Sequence, residues 1–369
     1  MTKLFSLYLT SGICFSSMVF AQSHQKILKL SLTNPTPLSR NSEIIEIPKH
    51  KIKKISEKEF AIFNTSSHQE LTYQQLSNGN LLIQTDFKPY EKLSISFKNQ
   101  KPSAFAYKVY GRFVPERYDD FAWENNKIAF RMYGKSLEKV PSQNAWGMDV
   151  WSKRTPEMII DKWYQLNNYH QDHGEGLDFF HVGKSLGAGD VLPYVNQHFL
   201  YLGNYASYKI IEKGPLRFSF KLTYPEVQKE GISISATKVI SLDADSQLNK
   251  INVQYSFSGI QRLPVFAGIV HWDGNGDKYI DNTQQWASYW PKSSQNGTVG
   301  TAIYFPKGKT QITSTQQHLG DITLLSPHQN LEFYTGAAWD KALEIKNAKE
   351  WQLYLENKIY KIQHPIRIK

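Results

Sequence analysis

Only one cysteine, Cys14, occurs in the 369 residues, and it sits in an apolar N-terminal stretch. A chain so poor in cysteine has no disulfide framework and no Cys-ligated zinc site. Beyond Phe20 no run is long and apolar enough for a membrane-spanning helix, so no membrane insertion is expected of the body of the chain. Nucleotide signatures are missing too: no GxGxxG follows a strand pattern, there is no P-loop, and β and α patterns do not alternate. What is present is a chain with 43 Lys+Arg against 33 Asp+Glu, a net charge of +10 and 40% hydrophobic residues. That balance supports a full core and excludes a disordered chain. Aromatics make up 14%, more than a core alone requires, which points to stacking surfaces. The positive charge points to an anionic partner, but Lys and Arg are dispersed, so nucleic acid is not expected.

The first residues, Met1-Thr2-Lys3, precede an apolar stretch from Leu4 to Phe20 and then Ala21-Gln22, with Val19 and Ala21 as small or apolar cleavage-site residues. This is the pattern of a secretory signal, with cleavage expected after Ala21. Cys14 falls inside it without a Leu three residues earlier, which argues against a lipoprotein anchor. The exported chain would be cysteine-free, as suits a bacterial periplasm. Residues 22–101 alternate short apolar runs, such as Glu43 to Ile47 and Leu93 to Phe97, with breaks at Asn34-Pro35-Thr36-Pro37 and Asn78-Gly79. They read as a small N-terminal β domain with hairpin turns. The basic run Lys49 to Lys54 reads as a solvated strand edge rather than an anion site.

Residues 102–369 carry longer strand patterns. Phe218, Phe220, Leu222 and Tyr224 alternate with polar residues, as do Ile251, Val253, Tyr255 and Phe257. Such half-buried antiparallel strands, spaced as in a sandwich, predict an all-β fold. The expected architecture is a large antiparallel β-sandwich of the supersandwich kind, preceded by the small β domain. Two short helices are expected, at Thr155 to Leu166 with a Thr-Pro start and at Asn347 to Lys361.

Chemistry-bearing residues gather between Tyr107 and Asp190. Alternation puts Arg131 and Tyr133 on one face of a strand, and Tyr110 and Arg112 on one face of the strand before it. Arg and Tyr on a shared face suit an anionic, ring-shaped ligand, although an ordinary exposed sheet face fits the same pattern. The segment from Tyr169 to His181 holds His170, His173 and His181 with Asp172, Glu175 and Asp178, among several glycines. A loop of this composition suits proton transfer, and its oxygen and imidazole donors could hold a divalent metal. The stretch from Asp273 to Asp281 echoes a calcium loop, but Lys278 replaces the required Gly and Gln284 the bidentate Glu, so a hairpin turn explains it as well. Trp272, Trp286, Tyr289 and Trp290 offer faces for sugar rings.

The order of "YGRFVPERYDDFAWENNKIAFRMYG", "WGMDVWSKR", "YHQDHGEGLDFFHVGKSLGAG" and "HWDGNGD" resembles a secreted bacterial family of polysaccharide-utilisation systems. That family was long described only as a domain of unknown function, and its characterised representative is an ulvan-oligosaccharide dehydratase. The resemblance implies a carbon–oxygen lyase that removes water from the terminal uronic acid of sulfated oligosaccharides, leaving a 4,5-unsaturated sugar. For that chemistry His170 or His173 is the expected base and Tyr133 or Tyr169 the acid. Arg112 and Arg131 are expected to bind the carboxylate or sulfate, and Trp272 and Trp286 to stack on sugar. Asp172, Glu175, Asp178 and His181 are expected to orient these groups or to ligate a metal. A glycoside hydrolase, drawing on Glu116, Glu124, Asp149, Glu175 and Asp178, and a non-catalytic binding protein are the alternatives.

Overall fold

The computed structural model describes residues 28–369 except 54, 56–58, 273 and 309–310. The expected signal peptide with Cys14, and Asp273, lie outside the described residues. The described chain is an all-β, antiparallel sandwich with two α-helices. Among the described residues no helix is long and apolar enough to cross a membrane.

At the centre is an eight-stranded sheet built around the long strands Arg217–Lys229, Ile232–Asp243 and Leu248–Ser258. In Ile232–Asp243 every second residue is buried, from Ile232 through Ile240 to Leu242, as period-two alternation requires. That register also drives Lys238 into the core. Asp190 from the neighbouring sheet meets its Nζ at 2.5 Å, and the ammonium lies 4.6 Å from the Tyr224 ring centre.

Two five-stranded sheets cover one face of this broad sheet, and all three share one hydrophobic core. One of them combines Val109–Val114, Asp120–Asn125, Ala129–Met132, Asp149–Lys153 and Gly176–Asp178, and it carries the candidate site. The other is built on Asp190–Val195, Leu263–Val270 and His318–Leu325. The opposite face of the broad sheet is covered by α2, Ala348–Gln363, which starts at Asn347, whose Oδ1 accepts from Glu350 N at 3.0 Å. Its Trp351, Leu355 and Ile359 recur at helical spacing and pack on Leu248, Trp286, Ala302 and Tyr304. Burying the Leu355 and Ile359 side chains contributes roughly 1.5–3 kcal/mol each.

The N-terminal module is a small two-sheet sandwich with its own core, from Leu30 through Ile83 to Phe97. It is not made by residues 22–101 alone. The C-terminal strand Arg367–Ile368 pairs with Lys29–Thr33, and Ile366 joins its core. Arg40, fully buried, donates from Nη2 to the His364 carbonyl at 2.5 Å and fastens that return.

The first helix, α1, is Ile160–Leu166, shorter than the sequence pattern suggests. Thr155 Oγ1 only closes a local turn with Glu157 N. The cap comes instead from a distant residue: the Glu124 carboxylate accepts from Ile159 N at 2.8 Å and Ile160 N at 2.9 Å. Glu124 also faces Lys153 Nζ at 2.7 Å with both side chains fully buried. Burial pushes the Lys153 ammonium down and the Glu124 carboxyl up, each against the pull of the other. Truncating one partner leaves the other charge stranded, so Lys153→Met is expected to cost about 3–5 kcal/mol in denaturant unfolding.

Candidate active site

Strand Ala129–Met132 lies between two cores, and all four of its residues are buried. Ile128, Phe130 and Met132 face the main core, while Ala129 faces a second one formed with Trp151, Trp163 and Tyr164. Arg131 therefore enters the protein instead of meeting solvent. Its guanidinium donates to Asp149 Oδ2 from Nε at 2.9 Å and from Nη2 at 2.5 Å. Nη2 also reaches Asp178 Oδ2 at 3.0 Å, and Nη1 lies 3.5 Å from Asp120 Oδ2. The rings of Tyr133, Trp151 and Tyr169 surround it.

Three carboxylates around one guanidinium leave surplus negative charge in a dry site. Burial pushes Asp120 up to about 6, against the pull of Arg131 and Arg117. Burial and the neighbouring Asp149 push Asp178 far above the usual carboxylate range, and burial pushes Asp149 up as well. The cluster thus takes up a proton more readily than free carboxylates would.

Its outer rim holds the functional groups. Asp178 N donates to the Tyr169 carbonyl at 2.7 Å, which folds residues 169–178 into a tight loop. His170 then lies over the end of that strand: its Nδ1 donates to the Asp178 carbonyl at 2.9 Å and is 3.7 Å from Asp178 Oδ2. This hydrogen bond assigns the proton to Nδ1 and leaves Nε2 as the acceptor on a side chain that is 68% exposed. The His170 ring packs on Tyr169 with centroids 4.6 Å apart. Arg117 Nε donates to the Tyr169 hydroxyl at 3.3 Å, so that hydroxyl retains its own proton to give. Arg117 Nη1 has no hydrogen-bond partner among the described residues.

The structure thus brings together His170, Tyr169, Asp178 and Arg131. Arg117, which joins them, was missed. It lies in the quoted Val-Pro-Glu-Arg turn, a short 3-10 segment off the alternating strands, so strand periodicity could not single it out. The other expected residues lie elsewhere. Arg131 is consumed by carboxylates and cannot bind substrate directly. Tyr133 and Tyr169 are both nearly buried, at 8% and 6% exposure, but the Tyr133 hydroxyl is spent on Asp149, whereas the Tyr169 hydroxyl accepts from Arg117 and keeps its proton. Arg112 is held by Asp161 at 2.5 Å and Glu116 at 2.6 Å, beside α1. Trp286 is 1% exposed beneath α2 and offers no stacking face.

His173 does not join that group: it lines a small crevice of about 20 Å³ with Lys162, Trp163 and Glu175, which touches the candidate site only through Tyr169. Asp172 orients no histidine: its Oδ1 accepts from Gly174 N and Gly176 N, and its Oδ2 pairs with Arg154. Glu175 pairs with Lys162 at 2.8 Å. His181 is exposed against Trp272, with ring centroids 5.0 Å apart. Among the described residues no group of three His, Cys, Asp or Glu could hold a metal, so the donors suggested for one do not converge.

Below this region the chain from 183 to 189 passes between sheets on glycines. A Cβ at Gly187 would strike the Met148 carbonyl, and one at Gly189 the Thr335 side chain. His318 pins the same loop, its Nε2 accepting from Leu186 N at 3.2 Å.

With this geometry the relatives fall into place. The chain belongs to the family described as a domain of unknown function, DUF4861, which matches residues 32–368. It is 30% identical over 392 residues to a Formosa agariphila protein described as uncharacterized protein P7, covering 98% of this chain and 97% of that one. Its fold is similar to an alpha-mannosidase from Enterococcus faecalis, with a TM-score of 0.52 and 8% identity. A protein of glycosyl hydrolase family 38 from the same organism gives a TM-score of 0.51 and 9% identity. Each covers 94% of this chain, which spans 46% and 47% of their lengths. At such identities the likeness is one of fold alone.

Burial, with a smaller contribution from His271, pulls His318 down to about 4. A protonated Nε2 would confront the Leu186 N–H. Because the folded value lies below the unfolded one, the unfolded chain binds the extra proton, so this contribution is present above about pH 6.5 and lost as pH falls toward 4. His318→Gln should flatten the dependence of unfolding free energy on pH in that window, measured by urea titration.

Proposed function

We propose that the chain is a carbohydrate-active lyase that eliminates water from the terminal uronic acid of anionic, ulvan-type sulfated oligosaccharides. The observation that carries this reading is the His170 imidazole, held at Nδ1 by Asp178 with Nε2 facing solvent, beside Arg117 and Tyr169. Elimination needs a base at C5, a cation on the carboxylate and a proton for the departing 4-hydroxyl. Arg117 would hold the uronate carboxylate and stabilise the enolate-like charge, usually a large contribution. His170 Nε2 would remove the C5 proton while Asp178 steadies the imidazolium. The C4–O bond would break as Tyr169 donates its phenolic proton, giving the 4,5-unsaturated uronate and water. Proton return from His170 to Tyr169, directly or through water, would reset the site. The buried Arg131 cluster would act at one remove, by fixing Asp178. Export across the inner membrane to the periplasm belongs to the same reading.

A hydrolase is less favoured because the carboxylates available to it are engaged elsewhere. Glu124 caps α1, Asp149 and Asp178 bind Arg131, Glu116 binds Arg112, and Glu175 binds Lys162.

The test is incubation with uronate-terminated oligosaccharides while following the unsaturated-uronate absorbance and the chain length. Wild type should gain absorbance without chain shortening. His170→Ala should lose about 10²–10⁴ in rate, as expected for loss of a general base. Arg117→Met should lose about 10²–10³ in kcat, whereas His173→Ala should match wild type. Reducing ends without unsaturation would select hydrolysis, and binding without turnover would select a non-catalytic role.

A further inference from the structure

Trp272 is a bulky residue in the left-handed region, with φ of 37°. Such a conformation costs on the order of 1–3 kcal/mol and persists only when its surroundings impose it. Here the indole Nε1 donates to the His181 carbonyl at 3.0 Å, and the two rings lie against each other. The result is a half-buried indole fixed at the mouth of a cavity of about 290 Å³. Phe180, Tyr289 and Thr301 form other parts of its wall, and Lys292 stands exposed at its rim. Phe180 also packs against the Tyr133 cluster, so one side chain joins this cavity to the protein beneath the candidate base.

Two features mark the cavity as built for a ligand. Its lining combines aromatic and aliphatic side chains with a few polar groups, Lys292, Ser294, Thr298 and Thr301 among them, as in small-molecule sites. In addition, Thr301 Oγ1 is buried in that lining, at 1% residue exposure, and has no hydrogen-bond partner among the described residues. A buried hydroxyl without a partner costs roughly 1–3 kcal/mol, which a ligand hydroxyl would recover. The Asp178 carbonyl that holds the candidate base His170 also lies close to the cavity along the chain. Three residue steps separate Asp178 from His181, at most about 11 Å of extended chain, within reach of a short oligosaccharide.

We infer that this cavity is a second sugar subsite, in which a further pyranose of the bound oligosaccharide stacks on Trp272 and turns an anionic substituent toward Lys292. The inference rests on the elimination reading for the identity of the oligosaccharide, but it makes its own claim about binding. The apolar face of the pyranose meets the indole, a ring hydroxyl reaches Thr301 Oγ1, and a sulfate or carboxylate pairs with the Lys292 ammonium.

The test is calorimetric titration of a uronate-terminated ulvan tetrasaccharide, native and desulfated, into the full chain carrying His170→Ala to halt turnover. In that background Trp272→Ala should weaken binding of both sugars roughly tenfold, the worth of one lost stacking contact. Trp272→Phe should stay near the parent. Thr301→Val, which keeps the side-chain shape, should weaken both sugars, and Lys292→Met should weaken the native sugar alone. Melting temperatures establish that each variant is folded. Unchanged affinity in folded Trp272→Ala and Thr301→Val overturns the subsite. Equal loss of both sugars in Lys292→Met overturns the anionic contact with sulfate and assigns it to a carboxylate. Unsaturated product with an unchanged KM in Trp272→Ala sinks the subsite alone. Trp272-dependent binding with no product from wild type sinks the elimination alone, and no binding by the parent sinks both.

Discussion

The buried guanidinium of Arg131 is the group on which the candidate site depends. It gathers Asp120, Asp149 and Asp178 from three strands of one sheet and offsets much of the cost of burying their charge. A lone buried charge is expensive, so the cluster is a constraint on position as much as a source of stability. Moving any one strand would strand a carboxylate or the guanidinium. Asp178 inherits this rigidity, and His170 inherits it from Asp178. An exposed histidine on a glycine-bearing loop thereby acquires a defined tautomer and direction.

The same economy recurs elsewhere in the sandwich. Lys153 with Glu124 joins two strands of the sheet that carries the site while Glu124 holds the start of α1, and Lys238 with Asp190 ties the broad sheet to its neighbour. Each pair joins elements distant in sequence, where apolar packing alone would tolerate small shifts. The site itself sits at the rim of this framework. Arg117, Tyr169 and His170 all lie in turns or loops whose ends are held by buried strands, an arrangement that combines access with precision.

Much of the fold was legible from the chain. Period-two alternation in Phe218 to Tyr224 and Ile251 to Phe257 identified long half-buried strands, and Asn347 marked the start of α2. The site was legible only in part. His170, Tyr169 and Asp178 stood out because histidine, tyrosine and acid crowd one segment. Alternation said that Arg131 and Tyr133 share a face but not that this face is buried, since an interior packed on both sides leaves no separate periodic signal. Trp286 misled for the same reason: an aromatic on a strand is equally consistent with solvent and with a covering helix. Arg117 was hidden because it lies in a turn, where neither helical nor strand periodicity applies.

Composition and local pattern therefore determined the class of protein, its strands and the segment richest in chemistry, because these follow from side-chain type and backbone period. Only the tertiary structure decided which charges neutralise one another. It turned Arg131 from a substrate contact into a buried anchor, left His173 in a small crevice beside Lys162 and Glu175, and joined Arg117 to the site. It also returned the C-terminal strand to the N-terminal module. The physical reason is range. Periodicity is set within a few residues, whereas the pairing of Arg131 with Asp178, 47 positions apart, depends on how whole sheets are stacked. No local signal carries that information, because burial and charge compensation belong to the assembled core.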